Sequence, residues 1–187
     1  VDEPRDEDVI AATKAWLEKD VIGLNLCPFA KAVHVAGQIR YVVSSNVTEA
    51  GLAKMLGEEL ILLHEADPEK IDTTLIVHPR VLLDFYDQNN FLEEAEGLLS
   101  QLGLVGKIQI ASFHPHYQFE GTEPDDVTNR TNRSPYPTLH LLREASVERA
   151  VENYPDAEGI PARNIETMRR LEREDPGRLP PTSSPAT

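Results

Sequence analysis

The spacing of apolar positions divides the chain into alternating helical and extended stretches. From Asp6 to Lys19, Val9, Ala12, Trp16 and the methyl of Thr13 share one face at helical spacing, with Leu17 beside them. VIGLNLCPFA follows, an apolar run broken by Gly23 and Pro28. Pro28 suits the first turn of a short helix, PFAKAVH, which would set Cys27 at or beside its N-cap. Gln38–Ser45 is rich in β-formers and predicts a strand. Thr48–Glu65 carries Leu52, Met55, Leu56, Leu60 and Leu63 on one helical face. Thr73–Pro79 is a continuous apolar strand of the kind buried on both faces. Val81–Leu102 is helical, with a break or restart allowed at Asn89-Asn90, and Lys107–Pro115 is a third strand.

Next comes HPHYQFEGTEPDDVTNRTNRSPYP, from His114 to Pro137, with neither period. A stretch of this length without regular structure is usually functional or disordered. A fourth strand could lie at its start, where Tyr117 and Phe119 alternate with polar residues. Thr138–Asn153 predicts a helix with Thr138 as N-cap, and Ala162–Glu172 a last one. The Pro- and Ser-rich segment from Asp175 is tail-like and expected to be disordered. The expectation is one α/β domain over 1–174 and a tail over 175–187. Helices between strands favour right-handed crossovers, hence a small layered domain with a mainly parallel sheet of three to four strands.

Charge narrows the partners. Lys and Arg number 18 against 32 Asp and Glu, a formal net charge of -14. That argues against nucleic acid and anionic membrane, both of which attract basic patches. The single cysteine excludes an internal disulfide and suits a reducing compartment. No apolar run is long enough to span a bilayer, and the acidic N-terminus does not resemble a signal peptide. The expected location is cytoplasmic, where the Asn-x-Ser/Thr matches at Asn46, Asn129 and Asn132 carry no meaning.

Two strands end alike, in His78-Pro79 and His114-Pro115. In a parallel sheet both ends, with Asn46 after the first strand, reach the edge where open α/β sheets bind ligands. The long loop leaves from that edge. Arg130, Arg133 and Arg143 offer planar forks of donors to a carboxylate or phosphate, and Asn129 and Asn132 offer donors and acceptors. Tyr136 stands just before the helix expected at Thr138, whose N-terminus would favour the same anion. His114, with His140 or Asp126, would do acid–base work. The plainer alternative is a self-bonded loop in which these groups satisfy the backbone. Cys27 is either a nucleophile with a lowered pKa or a small buried hydrophobe among Leu24, Leu26, Phe29 and Ala30. His114 and His116 could also hold a metal, completed by His140, Cys27 or Asp126, though the spacing is not diagnostic. No nucleotide-binding motif is present, and no cofactor is indicated.

Cys-Pro-Phe-Ala at 27–30, Phe-His-Pro with Tyr-x-Phe at 113–119, and Asn-Arg-Ser-Pro-Tyr-Pro at 132–137 followed by His-Leu-Leu-Arg-Glu at 140–144 resemble a bacterial and plant domain of unknown function, family 1415. The likeness spans about Ala11 to Met168 and implies a compact cytoplasmic domain, with no reaction or cofactor attached. The functional expectation is an enzyme acting on a small anionic metabolite at the loop. The alternatives are a metal-dependent enzyme using His114 and His116, or a non-catalytic ligand-binding or protein-interaction domain. On the first expectation, Arg133→Ala removes binding and leaves folding intact.

Overall fold

The computed structural model describes residues 4–181. Helix α1 (Asp6–Trp16) opens with Asp6, Glu7 and Asp8, acidic groups that suit a helix N-terminus. It continues without a break into a π-helical segment, Leu17–Ile22, and a turn leads to α2 (Ala30–Val35). Strand β1 (Ile39–Val43) precedes α3 (Glu49–Glu65), where Thr48 Oγ1 caps the helix by accepting from Gly51 N–H. Strand β2 (Thr73–Val77) is buried along its whole length, as its unbroken apolar run requires. Helix α4 (Phe85–Gln101) starts later than the sequence suggests, because Asp84 caps it through the amides of Tyr86 and Asp87, and it passes Asn89-Asn90 unbroken. Strand β3 (Ile108–Phe113) follows.

After the long loop the structure departs from expectation. Thr138–Arg143 is not helical. It forms β4, and α5 (Glu144–Glu152) begins at the next residue. The sheet order is β1-β2-β4-β3. β1 and β2 pair parallel, whereas β4 pairs antiparallel with both β2 and β3. The sheet is therefore mixed, and the mainly parallel sheet expected from the helix–strand alternation is corrected. The residues at 116–119 form no strand; the fourth strand is β4, central in the sheet. Its position explains its conformation: both backbone edges are paired, and Leu139 and Leu141 are fully buried.

Helices α3 and α4 cover one face of the sheet. Leu52, Leu56 and Leu60 of α3 and Phe91, Ala95 and Leu99 of α4 pack on Ile76, Ile108, Leu139 and Leu141. Arg40 of β1 makes a bidentate pair with the buried Glu59 of α3, at 2.8 and 3.0 Å. The other face carries α1, the π-helical segment and α2 on one side and α5 on the other. Helix α6 (Ile160–Glu174) supports the long loop, with Met168 beside Val127 and Leu26. The expected tail is packed where it is described: Leu179 joins that cluster and Arg178 pairs with Asp20 at 3.0 Å. Its remainder, 182–187, lies outside the described residues. Among the described residues no helix is long and apolar enough to cross a membrane.

Candidate functional site

The strand ends meet at one edge, but that edge is closed. Ser44, His78 and His114 are all fully buried beneath the returning loop. His78 N–H donates to Pro137 O and His114 N–H to Asn132 O. The rings are used in the same way. His78 Nδ1–H donates to Val81 O at 2.9 Å, and its buried Nε2 has no partner among the described residues. His114 Nε2–H donates to Leu82 O at 3.3 Å, and its Nδ1 accepts the amide of His116 at 3.0 Å. Together they hold a turn in which Leu82 takes a positive φ of 56°. Burial pushes both imidazoles down to a pKa of about 4.

The loop consumes most of the groups expected to bind an anion. Asn129 donates to Glu123 O and accepts from Phe119 N–H and Thr122 Oγ1–H. Arg133, 7% exposed, donates to Tyr117 O and Pro124 O. Asp126 caps a 3-10 turn (Val127–Asn132) through Thr128, and those bonds hold its carboxyl below the ordinary value. Arg130 reaches Pro180 O, and Asn132 is half-buried in the turn. Tyr136 packs with Val9 and Val77. The helix N-terminus expected at Thr138 does not exist, because that residue opens β4. Arg143 ends β4 at the opposite edge of the sheet, where it donates to Ala66 O and Ile71 O. His114 has no free ring nitrogen and His116 is exposed. Among the described residues no three His, Cys, Asp or Glu side chains cluster as metal ligands, so the expected pair at 114 and 116 finds no third member.

Three of the expected residues do come together elsewhere. Cys27, His140 and Arg143 line a cavity of about 590 Å³ on the face of the sheet opposite α3 and α4. That volume lies in the range of small-molecule sites. Register explains its floor. Leu75, His140 and Ala111 are neighbours across β2, β4 and β3, and alternation brings Thr73 and Phe113 to the same face. Trp16, Leu17 and Val21 form one wall, so the π-helical segment faces the cavity, and such segments recur at functional sites. Trp16 meets Phe113 edge-to-face at 5.0 Å. Phe29, before α2, meets Tyr154, after α5, at 5.6 Å and joins the two outer walls. Helix α5 offers Val147 and Ala150 to the cavity and has no fully buried residue.

His140 is the titratable group of the floor, beside the Thr73 hydroxyl. Thr73 Oγ1–H donates to Leu141 O at 2.6 Å, which spends its only proton. The 2.8 Å contact between Thr73 Oγ1 and His140 Nε2 must then carry the imidazole proton. Nε2 is protonated and Nδ1 bears a lone pair. Burial pushes this imidazole down to about 4 as well, so it is neutral near pH 7. Burial pushes the Cys27 thiol up, against the neighbouring amides of Phe29 and Ala30, so the lowered pKa expected at an N-cap is not found. Thr73 and Ala111 are site residues that sequence reasoning missed. The available signal was Ala111 itself, a small residue mid-strand where a bulky β-former is usual.

Residues 8–177 match the family described as "Protein of unknown function (DUF1415)". The chain belongs to that family. No curated protein and no solved structure matches it.

Proposed function

We propose that the protein binds a small, mainly apolar molecule in the cavity over β2, β4 and β3. The observation that carries this reading is a space of about 590 Å³ walled by Trp16, Leu17, Val21, Phe29, Phe113 and Val147, with one neutral imidazole on its floor. Apolar pockets of this size with few polar groups are the usual form of small-molecule sites. The test is a thermal-shift screen with naphthalene-sized probes on the wild type and on Ala111→Phe, which places a ring in the cavity. A probe at roughly ten times its Kd stabilises the folded state by about 1.4 kcal/mol. The expected result is a rise in Tm for the wild type that disappears in the folded variant. No rise with any probe, or an equal rise in the variant, overturns the reading.

One observation favours a second reading, an anion held at the loop. Arg133 is buried beside Arg130, and among the described residues neither has a carboxylate within ion-pair distance. The two cations disfavour each other, and the neighbouring charge adds to burial in lowering the Arg133 pKa. An anion would relieve both effects. Inorganic phosphate at constant ionic strength then raises Tm in the wild type and not in Arg130→Gln; equal response of the two proteins defeats this reading.

A further inference from the structure

The hydrogen bonds on the cavity floor specify more than an apolar guest. Thr73 Oγ1 has one proton and gives it to Leu141 O, so His140 can only donate to that hydroxyl through Nε2. The ring is locked in one tautomer. Its Nδ1 has no partner among the described residues, and it is not among the buried unpartnered atoms. The ring is half-buried and lines the cavity, held against Phe113 at 5.9 Å between centroids. A lone pair is thus presented to an apolar space in a fixed direction. The two charged side chains of the lining, Arg143 and Asp72, already bond within the protein. Arg143 is bound to Ala66 O and Ile71 O, and Asp72 accepts from Ser146 Oγ–H at 2.6 Å.

We infer that the cavity selects a neutral, mainly apolar molecule bearing one hydroxyl or N–H, which donates to His140 Nδ1. This deepens the cavity reading and rests on it. A carboxylate in the same place would meet the lone pair with its own, and a guest with no donor would leave Nδ1 without a bond. Thr73 is the positioning residue. It touches no guest atom through its hydroxyl proton, and it sets which nitrogen of His140 is bare.

The experiment compares 2-naphthol with 2-methoxynaphthalene, in which a methyl group replaces the donor hydrogen, by calorimetric titration of the full chain. A neutral hydrogen bond of about 1 kcal/mol makes 2-naphthol about five- to tenfold tighter. In His140→Phe the difference collapses while both compounds still bind. Nitrogen-15 NMR of the wild-type imidazole gives a readout that does not depend on that variant folding. Nε2 is protonated, Nδ1 is bare, and 2-naphthol moves the Nδ1 resonance more than 2-methoxynaphthalene does. Equal affinity for the two compounds, or a proton found on Nδ1, overturns the inference and leaves the cavity reading standing. If neither compound binds, the cavity reading falls and takes this inference with it.

Discussion

Lowering the pH from 7 to 5 should strip away a large part of this protein's stability, through three imidazoles. His78, His114 and His140 each have a folded pKa of about 4, in every case chiefly because burial disfavours the charged ring. In the unfolded chain a histidine titrates near 6.5. As pH falls, the unfolded state therefore takes up these protons first, and stability is lost between about pH 6.5 and 4. A fall from about 6.5 to about 4 sets a ceiling of about 3.4 kcal/mol for each ring. Between pH 7 and 5 the loss is about 2 kcal/mol for each, or on the order of 5 kcal/mol for the three. Whole domains are stable by only about 5–15 kcal/mol. Asp20 works the other way, since burial raises its pKa and it gains a proton early in the folded state.

The assay is urea unfolding at pH 7, 6 and 5, read as the change in extrapolated stability. His140→Gln keeps a donor for Thr73 and removes one titrating ring, so its pH dependence should be shallower by about a third. A total loss below about 2 kcal/mol over this range would refute the reasoning. So would NMR titration showing that two of the three rings take up protons above pH 6.

Other substitutions follow from the packing. Arg133→Ala leaves the carbonyls of Tyr117 and Pro124 without donors, and should cost about 2–3 kcal/mol in urea unfolding. That reverses the expectation from sequence, which had it folding normally. Asn129→Ala removes three bonds that pin the loop, and limited proteolysis should then cut between residues 114 and 137 faster than in the wild type. Arg40→Ala strands the buried Glu59 carboxylate and should cost roughly 3 kcal/mol, whereas Arg40→Met with Glu59→Leu should recover most of it. Stability measured across this double-mutant cycle checks the coupling.

Where a segment's local pattern and its tertiary role agreed, the sequence was readable. Val-rich β1, the buried run of β2, and the Leu face of α3 needed nothing from elsewhere in the chain, and their positions were legible to within a residue or two. The convergence of His78 and His114 at one sheet edge was legible too, because β1, β2 and β3 run the same way. What lay outside local reach was whether that edge stays open. Closure depends on the loop folding back so that Asn129 and Arg133 bind its own carbonyls and amides, and amides and guanidinium groups look alike in sequence whether they await a ligand or a backbone.

The decisive departure is TLHLLR, and it explains why the cavity was hidden. Leu, His and Arg are acceptable in helices, and His140 and Glu144 stand one helical turn apart, so local preference ran straight from Thr138 into the true helix α5. The strand forms because β2 and β3 leave an unpaired slot between them. Filling it satisfies two rows of backbone groups and buries Leu139 and Leu141 completely. Those gains outweigh differences of a few tenths of a kcal/mol per residue in propensity. As a helix, the segment would have carried His140 on a solvent-facing turn beside the loop. As a strand, it turns His140 to the opposite face from Leu139 and Leu141, against Thr73, Phe113 and the space beneath α2 and α5. The change of one segment from period 3.6 to period 2 thus moves His140 from the loop, where the sequence had placed it, to the floor of an apolar cavity on the far face of the sheet.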